Sequence, residues 1–379
     1  MKFSRKYKNH KLRGRFYYKT ALGALLVLVI ASIWAAGPPA ASTGPIVLKA
    51  EPLPVTPKEF YIANVVDSRT NKNAVAYLFP AQGTKAVPVD LKGGAQFAVQ
   101  EYLRKGLPAN TKLRPVVLRL KELNVTESTP ANGRVQGHVV AHVEFCLQRG
   151  GEIIPLIAHQ GGIKYNRPAS QLDVVEPALR QVLNEAVRYF DGWMNREANQ
   201  NELLAKSIKV RFEDFALDAK DDTVFYTLKR PLNWDDFRAN PSKESRYAAA
   251  VFPGFAYEGR NEVKDGVLHL NLTMKVFVVK SASWAKAAAR DAYTLNHEQR
   301  HFDIVKLVAE RFKQKIHPDS LTLSDYNSIM QYKYIESFRE MNRLQEQYDR
   351  ETVHGRDEAA QQRWNKRIDA ELRAFRVKQ

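Results

Sequence analysis

The chain of 379 residues, 44% of them hydrophobic, is long enough for two folded domains and apolar enough to exclude global disorder. Its formal net charge of +17 would suit a nucleic-acid binder, but Lys2, Arg5, Lys6, Lys8, Lys11, Arg13, Arg15 and Lys19 crowd the first 19 residues without an acid. Removing those eight from +17 leaves +9 on the rest, which argues against nucleic acid as a partner.

In chain order, the basic segment 1–19 runs into an uncharged apolar stretch at 20–36. Positive charge ahead of such a stretch places the N-terminus in the cytoplasm and the remainder across the membrane. Residues 20–36 are therefore expected to form a single-pass transmembrane signal anchor. Cleavage near Ala40-Ala41-Ser42, followed by secretion, is the alternative. Residues 37–58 carry Pro38, Pro39, Pro45, Pro52, Pro54 and Pro57, the composition of a semi-extended linker.

A small α+β domain is expected over 59–200. Strand-like runs occupy 59–66, 74–79, 115–123, 135–147 and 153–164, with Gly150-Gly151 turning the last pair into a hairpin. A helix is expected at 94–107, with Phe97, Val99, Tyr102 and Leu103 on its apolar side. Ser170 is placed to cap a second, long helix, whose Val174, Ala178, Val182, Ala186 and Phe190 make a buried stripe. Cys146, the only cysteine, lies in an apolar strand pattern and is expected to be a small core residue. His138 and His142 stand four apart on one strand, about 13 Å from each other, so they cannot share an ion. His159 is read with them as a structural or surface histidine. This domain is the expected contact for any envelope protein partner.

The second domain is expected over 207–379. It opens with strands at 208–215 and 223–228, then a short helix around Trp234, Asp235, Asp236 and Phe237 capped by Asn233 or Asp235. The run 267–276 alternates, with Leu268, Leu270, Leu272 and Met274 on one side. At a sheet edge it would add an extended peptide as a further strand. Ser283 is placed to cap a helix over 284–316, with Leu295, Phe302, Val305, Val308 and Phe312 along its apolar side. A helix over 325–352 follows, with Ile335, Phe338, Met341, Gln345 and Tyr348 on one side. The closing helix aligns Trp364, Ile368, Leu372 and Phe375.

Mid-way along the 284–316 helix lies His297-Glu298-Gln299-Arg300-His301. Histidines four apart on a helix project from one face and can reach a single zinc ion at about 2.0–2.1 Å. Glu298 cannot ligate from that face but can serve as general base, as in the H-E-x-x-H zinc peptidases. The metzincin continuation fails, since Ile304 and Leu307 replace its glycine and third histidine. For the third ligand His354 leads, with Asp349 either orienting a histidine from outside or taking its place. Asp303 is a further outer candidate, and Tyr348 a candidate donor to the tetrahedral oxyanion.

His297-Glu-Gln-Arg-His-Phe-Asp-Ile304, Trp234-Asp-Asp-Phe237 with Pro241, and Tyr348-Asp-Arg-Glu-Thr-Val-His-Gly355 with Gln361 and Trp364 resemble one bacterial family. It is the group of secreted zinc peptidases catalogued as domain of unknown function 922. The likeness covers about residues 207–379, with Arg300 where the family usually has a small residue. It implies a zincin-like α+β metallopeptidase domain, His297 and His301 as zinc ligands and Glu298 as base. The expectation is thus one Zn2+ per chain and a peptide or protein substrate. With the anchor, it places the chain in a bacterial inner membrane facing the periplasm. The alternative is a non-catalytic envelope binding protein with a structural or vestigial metal site.

Overall fold

The computed structural model describes residues 44–129, 133–241 and 245–377, so the expected anchor at 20–36 lies outside the described residues. No helix among the described residues is long and apolar enough to cross a membrane. Contacts divide the chain into two units between Asn195 and Arg196, each of mixed α+β build.

The first unit contains β1 (Phe60–Asp67), β2 (Ala76–Leu78), β3 (Val87–Val89), α1 (Ala95–Gly106), β4 (Arg114–Ser128), β5 (Val135–Arg149), β6 (Glu152–Arg167) and α2 (Val175–Glu197). Period-two apolar residues make β4, β5 and β6 a long antiparallel meander. Gly150 and Gly151, both at positive φ, supply the turn between β5 and β6. The outer edge of β4 is shared by two parallel partners, β1 along residues 114–120 and β2 at 125–126. Phe190 of α2 stacks on Phe145 of β5 at 4.1 Å and meets Phe60 of β1 edge-on at 4.6 Å, so α2 packs on the sheet. Cys146 is buried with its Sγ 3.7 Å from Glu144 Oε2, and burial pushes its thiol up to about 11, which makes it inert.

Two local expectations change. The chain enters α2 through a 3-10 turn, Leu172–Val174, capped by Gln171 without a side-chain bond, so Ser170 is not the cap. The Pro-rich segment is also attached earlier than a tether would be. Ile46 bridges Leu91 in parallel, and Leu53, 7% exposed, donates its N–H to the Gly106 carbonyl at the end of α1.

The second unit contains β7 (Ser207–Asp214), β8 (Ala219–Lys220), β9 (Thr223–Phe225), β10 (Ala249–Ala250), β11 (Pro253–Lys264), β12 (Val267–Val279), β13 (Trp284–Ala285), α3 (Ala292–Lys315), α4 (Tyr326–Thr352) and α5 (Glu358–Ala374). The alternating strand β12 is the centre of its sheet. It pairs with β11 along its whole length on one side, and with β7 and β9 on the other. It therefore has no open edge for a peptide, which corrects the strand-addition expectation at 267–276. Its buried face packs with Phe302, Val305, Ala309 and Phe312 of α3 in one core. On the opposite side of α3, Ile304 and Leu307 join Tyr348, Trp364, Ile368 and Leu372 of α4 and α5 in a second core. Helix α3 is thus sandwiched between sheet and helices, which explains why almost every residue from His301 to Ala309 is buried.

Helix α3 starts later than expected. Trp284 and Ala285 pair with Ala250 and Ala249 instead of turning helical, and Asp291 caps the helix by accepting the Thr294 N–H at 2.8 Å. Ser283 is buried, donating to the Val279 carbonyl and accepting from Phe252 N–H. In α4 the buried line runs through Met330, Ser337, Met341, Tyr348 and Thr352. Ile335 and Phe338 stand one position off that line, at 49% and 42% exposed, and face solvent instead of the core. Glu340 ties α4 back to α3 through Arg311 at 2.6 Å and Lys315 at 2.8 Å.

Candidate metal centre

One helical turn separates His297 and His301, and the two-sided packing of α3 buries both to within 9% exposure. The last turns of α4 pass in front of them. Asp349 Oδ1 lies 2.9 Å from His301 Nε2 and 3.2 Å from His297 Nε2. Among the described residues, His297, His301 and Asp349 form the group that could hold a metal ion, their ligand atoms all within 4.8 Å of one another.

The far sides of the rings settle what the near sides offer. His297 Nδ1 contacts Gln361 Oε1 at 2.8 Å, and His301 Nδ1 contacts Gln345 Oε1. An amide oxygen only accepts, so each Nδ1 carries a proton, and each imidazole in its neutral form presents a bare Nε2 lone pair. Those lone pairs face a carboxylate oxygen at hydrogen-bond distance. Acceptors aimed at one another require positive charge between them, either protons or a cation. The protonation equilibria express the same demand. Burial opposes charge on His301, yet the bond and charge of Asp349, the charge of Glu298 and the bond to Gln345 together outweigh this and hold the imidazolium form above its ordinary range. Burial likewise opposes the Asp349 charge, but the bonds from His297 and His301 outweigh it and hold the carboxyl well below the usual range. Two imidazoles and one carboxylate are a fitting donor set for a divalent transition ion.

Glu298 is 4% exposed and lines the same cleft. Its Oε2 accepts the Val251 N–H at 2.9 Å, and burial pushes its carboxyl up from the ordinary glutamate range. Val251 directly follows β10. Because Ala248 accepts the Lys286 N–H, the backbone groups of 248 and 250 point to β13 and those of 249 and 251 point away from it. The cleft, of about 840 Å³, is lined by this strand, by the three metal-facing side chains and by the turn after α4.

That turn sets where His354 lies. Val353, His354 and Gly355 take left-handed φ values of 52°, 55° and 78° in succession. A β-branched residue adopts this region only when its surroundings impose it. Gly355 lies so close that an added Cβ would meet His297 at 3.2 Å, and its carbonyl accepts the Tyr293 hydroxyl at 2.7 Å. The reversal turns His354 out of the ligand position expected for it. Its Nδ1 sits 3.6 Å from Asp349 Oδ2, its side chain 37% exposed, against the Tyr247 ring at 4.6 Å. Asp349, still helical, is the residue that faces both Nε2 atoms.

One other expectation is corrected. Tyr348 is fully buried, stacks on His297 at 4.8 Å and bonds Gln361 and the His297 carbonyl, so its hydroxyl is not offered to the cleft as an oxyanion donor. Asp303 accepts from Tyr226, Gln299 and Arg300, and does not orient either histidine through these bonds. The orienting groups are Gln345 and Gln361, whose helical spacing carried no sign of that role. Arg300 is locked onto Asp303 and Asp369 of α5, so it does not line the cleft. The stretch before β10 supports α3. Asn233 caps the 3-10 turn Trp234–Asp236, and Leu232 N–H is accepted by Gln299 at 2.9 Å.

No family model matches the chain, and no curated protein matches it. Among solved structures, a Xanthomonas campestris protein of the DUF330 family is similar over 41% of this chain and 97% of that one. At 12% identity and a TM-score of 0.27, that likeness carries no argument about fold or function.

Proposed function

We propose that the second unit is a zincin-like peptidase domain, with one zinc held by His297, His301 and Asp349 and Glu298 as general base. The observation that carries this reading is the placement of two histidine Nε2 atoms within 3.2 Å of Asp349 Oδ1 at an open cleft, beside a buried glutamate. A structural zinc is normally closed by four protein ligands, whereas three leave room for the reacting group. The resemblance of residues 207–379 to domain of unknown function 922 supports the same reading. Residues 1–36 would tether the domain to the inner membrane, facing the periplasm.

When bound, zinc supplies Lewis acidity to the peptide carbonyl and to water. Glu298 does the proton work. Held by Val251 N–H, its carboxylate takes the proton of the attacking water and delivers it to the leaving amine nitrogen. Burial raises its proton affinity, which suits the acid half of that cycle as well as the base half. Gln345 and Gln361 hold the imidazoles in the Nδ1–H tautomer. The outward backbone groups of Ala249 offer an extended substrate a strand to pair with. With Tyr348 buried, the donor to the developing oxyanion falls to His354 or Tyr247 at the cleft wall.

The test is metal analysis of the full chain beside Glu298→Gln, with peptide-hydrolysis assays of both. One zinc per chain in each, with hydrolysis only by the unmodified protein, is expected. Absence of bound metal from both under non-chelating conditions would overturn the reading.

A further inference from the structure

Three arginines from three separate segments line the cleft: Arg246 ahead of β10, Arg350 in the last turn of α4, and Arg356 beyond the left-handed turn. All are exposed, and no ion pair with a carboxylate is formed by any of them among the described residues. Arg246 donates to the Tyr247 hydroxyl at 3.0 Å with its guanidinium 5.2 Å from that ring, and Arg356 donates to the Val353 carbonyl at 3.1 Å. Both contacts hold the side chains at the cleft without neutralising them. The arginines inside the helical layers behave differently, Arg300 and Arg311 each being tied to two carboxylates.

Of the acids lining the cleft, Glu298 and Asp349 belong to the metal centre. Among the described residues that leaves Glu346 as the one other acid lining the cleft beside three guanidinium groups. Each guanidinium keeps a planar fork of donors that matches a carboxylate. We propose that the cleft recognises peptides bearing carboxylate groups close to the bond lying at the metal centre. This rests on the peptidase reading for what happens to the peptide, but the recognition itself is a property of the cleft walls. The carboxylates come either from aspartate and glutamate side chains or from the peptide's own C-terminus.

The experiment uses the full chain and one set of fluorogenic peptides of equal length, with glutamate, glutamine or lysine at the flanking positions. Each is made as the free acid and as the amide. In the zinc-loaded chain, kcat/KM is expected to favour acidic over neutral peptides by about tenfold or more at low salt, with the ratio shrinking as salt screens the groups. A combined Arg246→Gln, Arg350→Gln, Arg356→Gln variant should bring that ratio to about one, a measure insensitive to any general loss of activity. The acid and amide arms tell a terminal carboxylate from side-chain carboxylates. Fluorescence anisotropy of the same peptides with the metal-free chain gives the binding preference without turnover. Cleavage or binding indifferent to charge would overturn the inference and leave the peptidase reading standing. Charge-selective binding without any cleavage by a zinc-loaded chain would overturn the peptidase reading and uphold the inference.

Discussion

Each unit of this protein buries an ionic network, and the two are built to opposite ends. In the first unit Arg167 and Glu127 are fully enclosed. The guanidinium donates Nε and one Nη2 proton to Glu127, the other Nη2 proton to the Phe79 carbonyl, and its Nη1 protons to the carbonyls of Pro168 and Ala169. Glu127 accepts in addition from the Tyr165 hydroxyl and the Phe79 N–H. All five guanidinium donors and all four carboxylate lone-pair sites are answered by the protein itself. In the second unit His297 and His301 are partnered on their far sides by Gln361 and Gln345, and on their near sides both Nε2 atoms face Asp349 Oδ1, acceptor against acceptor. A closed network fixes a fold; an open one with convergent lone pairs is a site for something the chain does not supply. Burial alone does not separate the two, but the count of unanswered valences does.

That contrast can be broken at several points. Glu298→Gln should have the largest effect, lowering peptide hydrolysis by about 10²–10⁴-fold in steady-state kinetics while zinc content stays at one per chain. A comparable loss of zinc instead would make Glu298 a structural member of the network. Cutting the closed network is expected to be costly in stability. Arg167→Met leaves Glu127 buried without its partner and should cost about 3–5 kcal/mol in urea unfolding of the first unit, with zinc content unchanged. Asp349→Ala should cost little of that kind and instead abolish stoichiometric zinc binding, whereas His354→Ala should keep zinc and lose catalytic rate. Retained zinc in Asp349→Ala and lost zinc in His354→Ala would reverse the ligand assignment.

A pH series on the metal-free chain sharpens the comparison further. His301 is raised in the folded state, so its contribution is fully present below its ordinary value near 6.5 and is lost as pH rises through the folded one. Asp349 is depressed, so its contribution is present above its ordinary value of 3.8 and is lost as pH falls through the folded one. Glu298 has the opposite sign to Asp349. Its raised carboxyl costs nothing below the ordinary 4.5, and the cost grows as pH climbs towards the folded value. Metal-free Glu298→Gln should therefore melt about 2–4 °C above the unmodified chain at neutral pH, a difference that closes by pH 4 in calorimetry. The smallest expected effect belongs to Gly355→Ala, which forces a Cβ against His297 at positive φ. A loss of about 1 kcal/mol is expected, read as weaker zinc affinity rather than altered kcat.

Much of the second unit was legible from spacing. The pattern of Phe302, Val305 and Phe312 named the face of α3 that meets the sheet, and the i, i+4 histidines named two of the three residues whose ligand atoms converge. The limits of α3 were not legible, because residues 284–291, four of them alanine, favour helix locally, while in the fold Trp284 and Ala285 are claimed by β10. Nor was the exposure of Ile335 and Phe338, since an apolar pair on a helix reads the same whether the neighbour is core or water.

The sequence by itself determined the pair of histidines, the glutamate between them and the helix that carries them, because those relations are set within one helical turn. The third converging residue, Asp349, and the two orienting glutamines come from chain 44 to 64 positions away. Which of Asp349 and His354 faces the histidines depends on where α4 stops. That stop is made by three residues at left-handed φ, the last of which, Gly355, is held against His297 and Tyr293, a packing relation between distant segments that no local pattern encodes. The tertiary structure made that choice, exchanging the two residues so that Asp349 faces the histidines and His354 lies at the cleft wall.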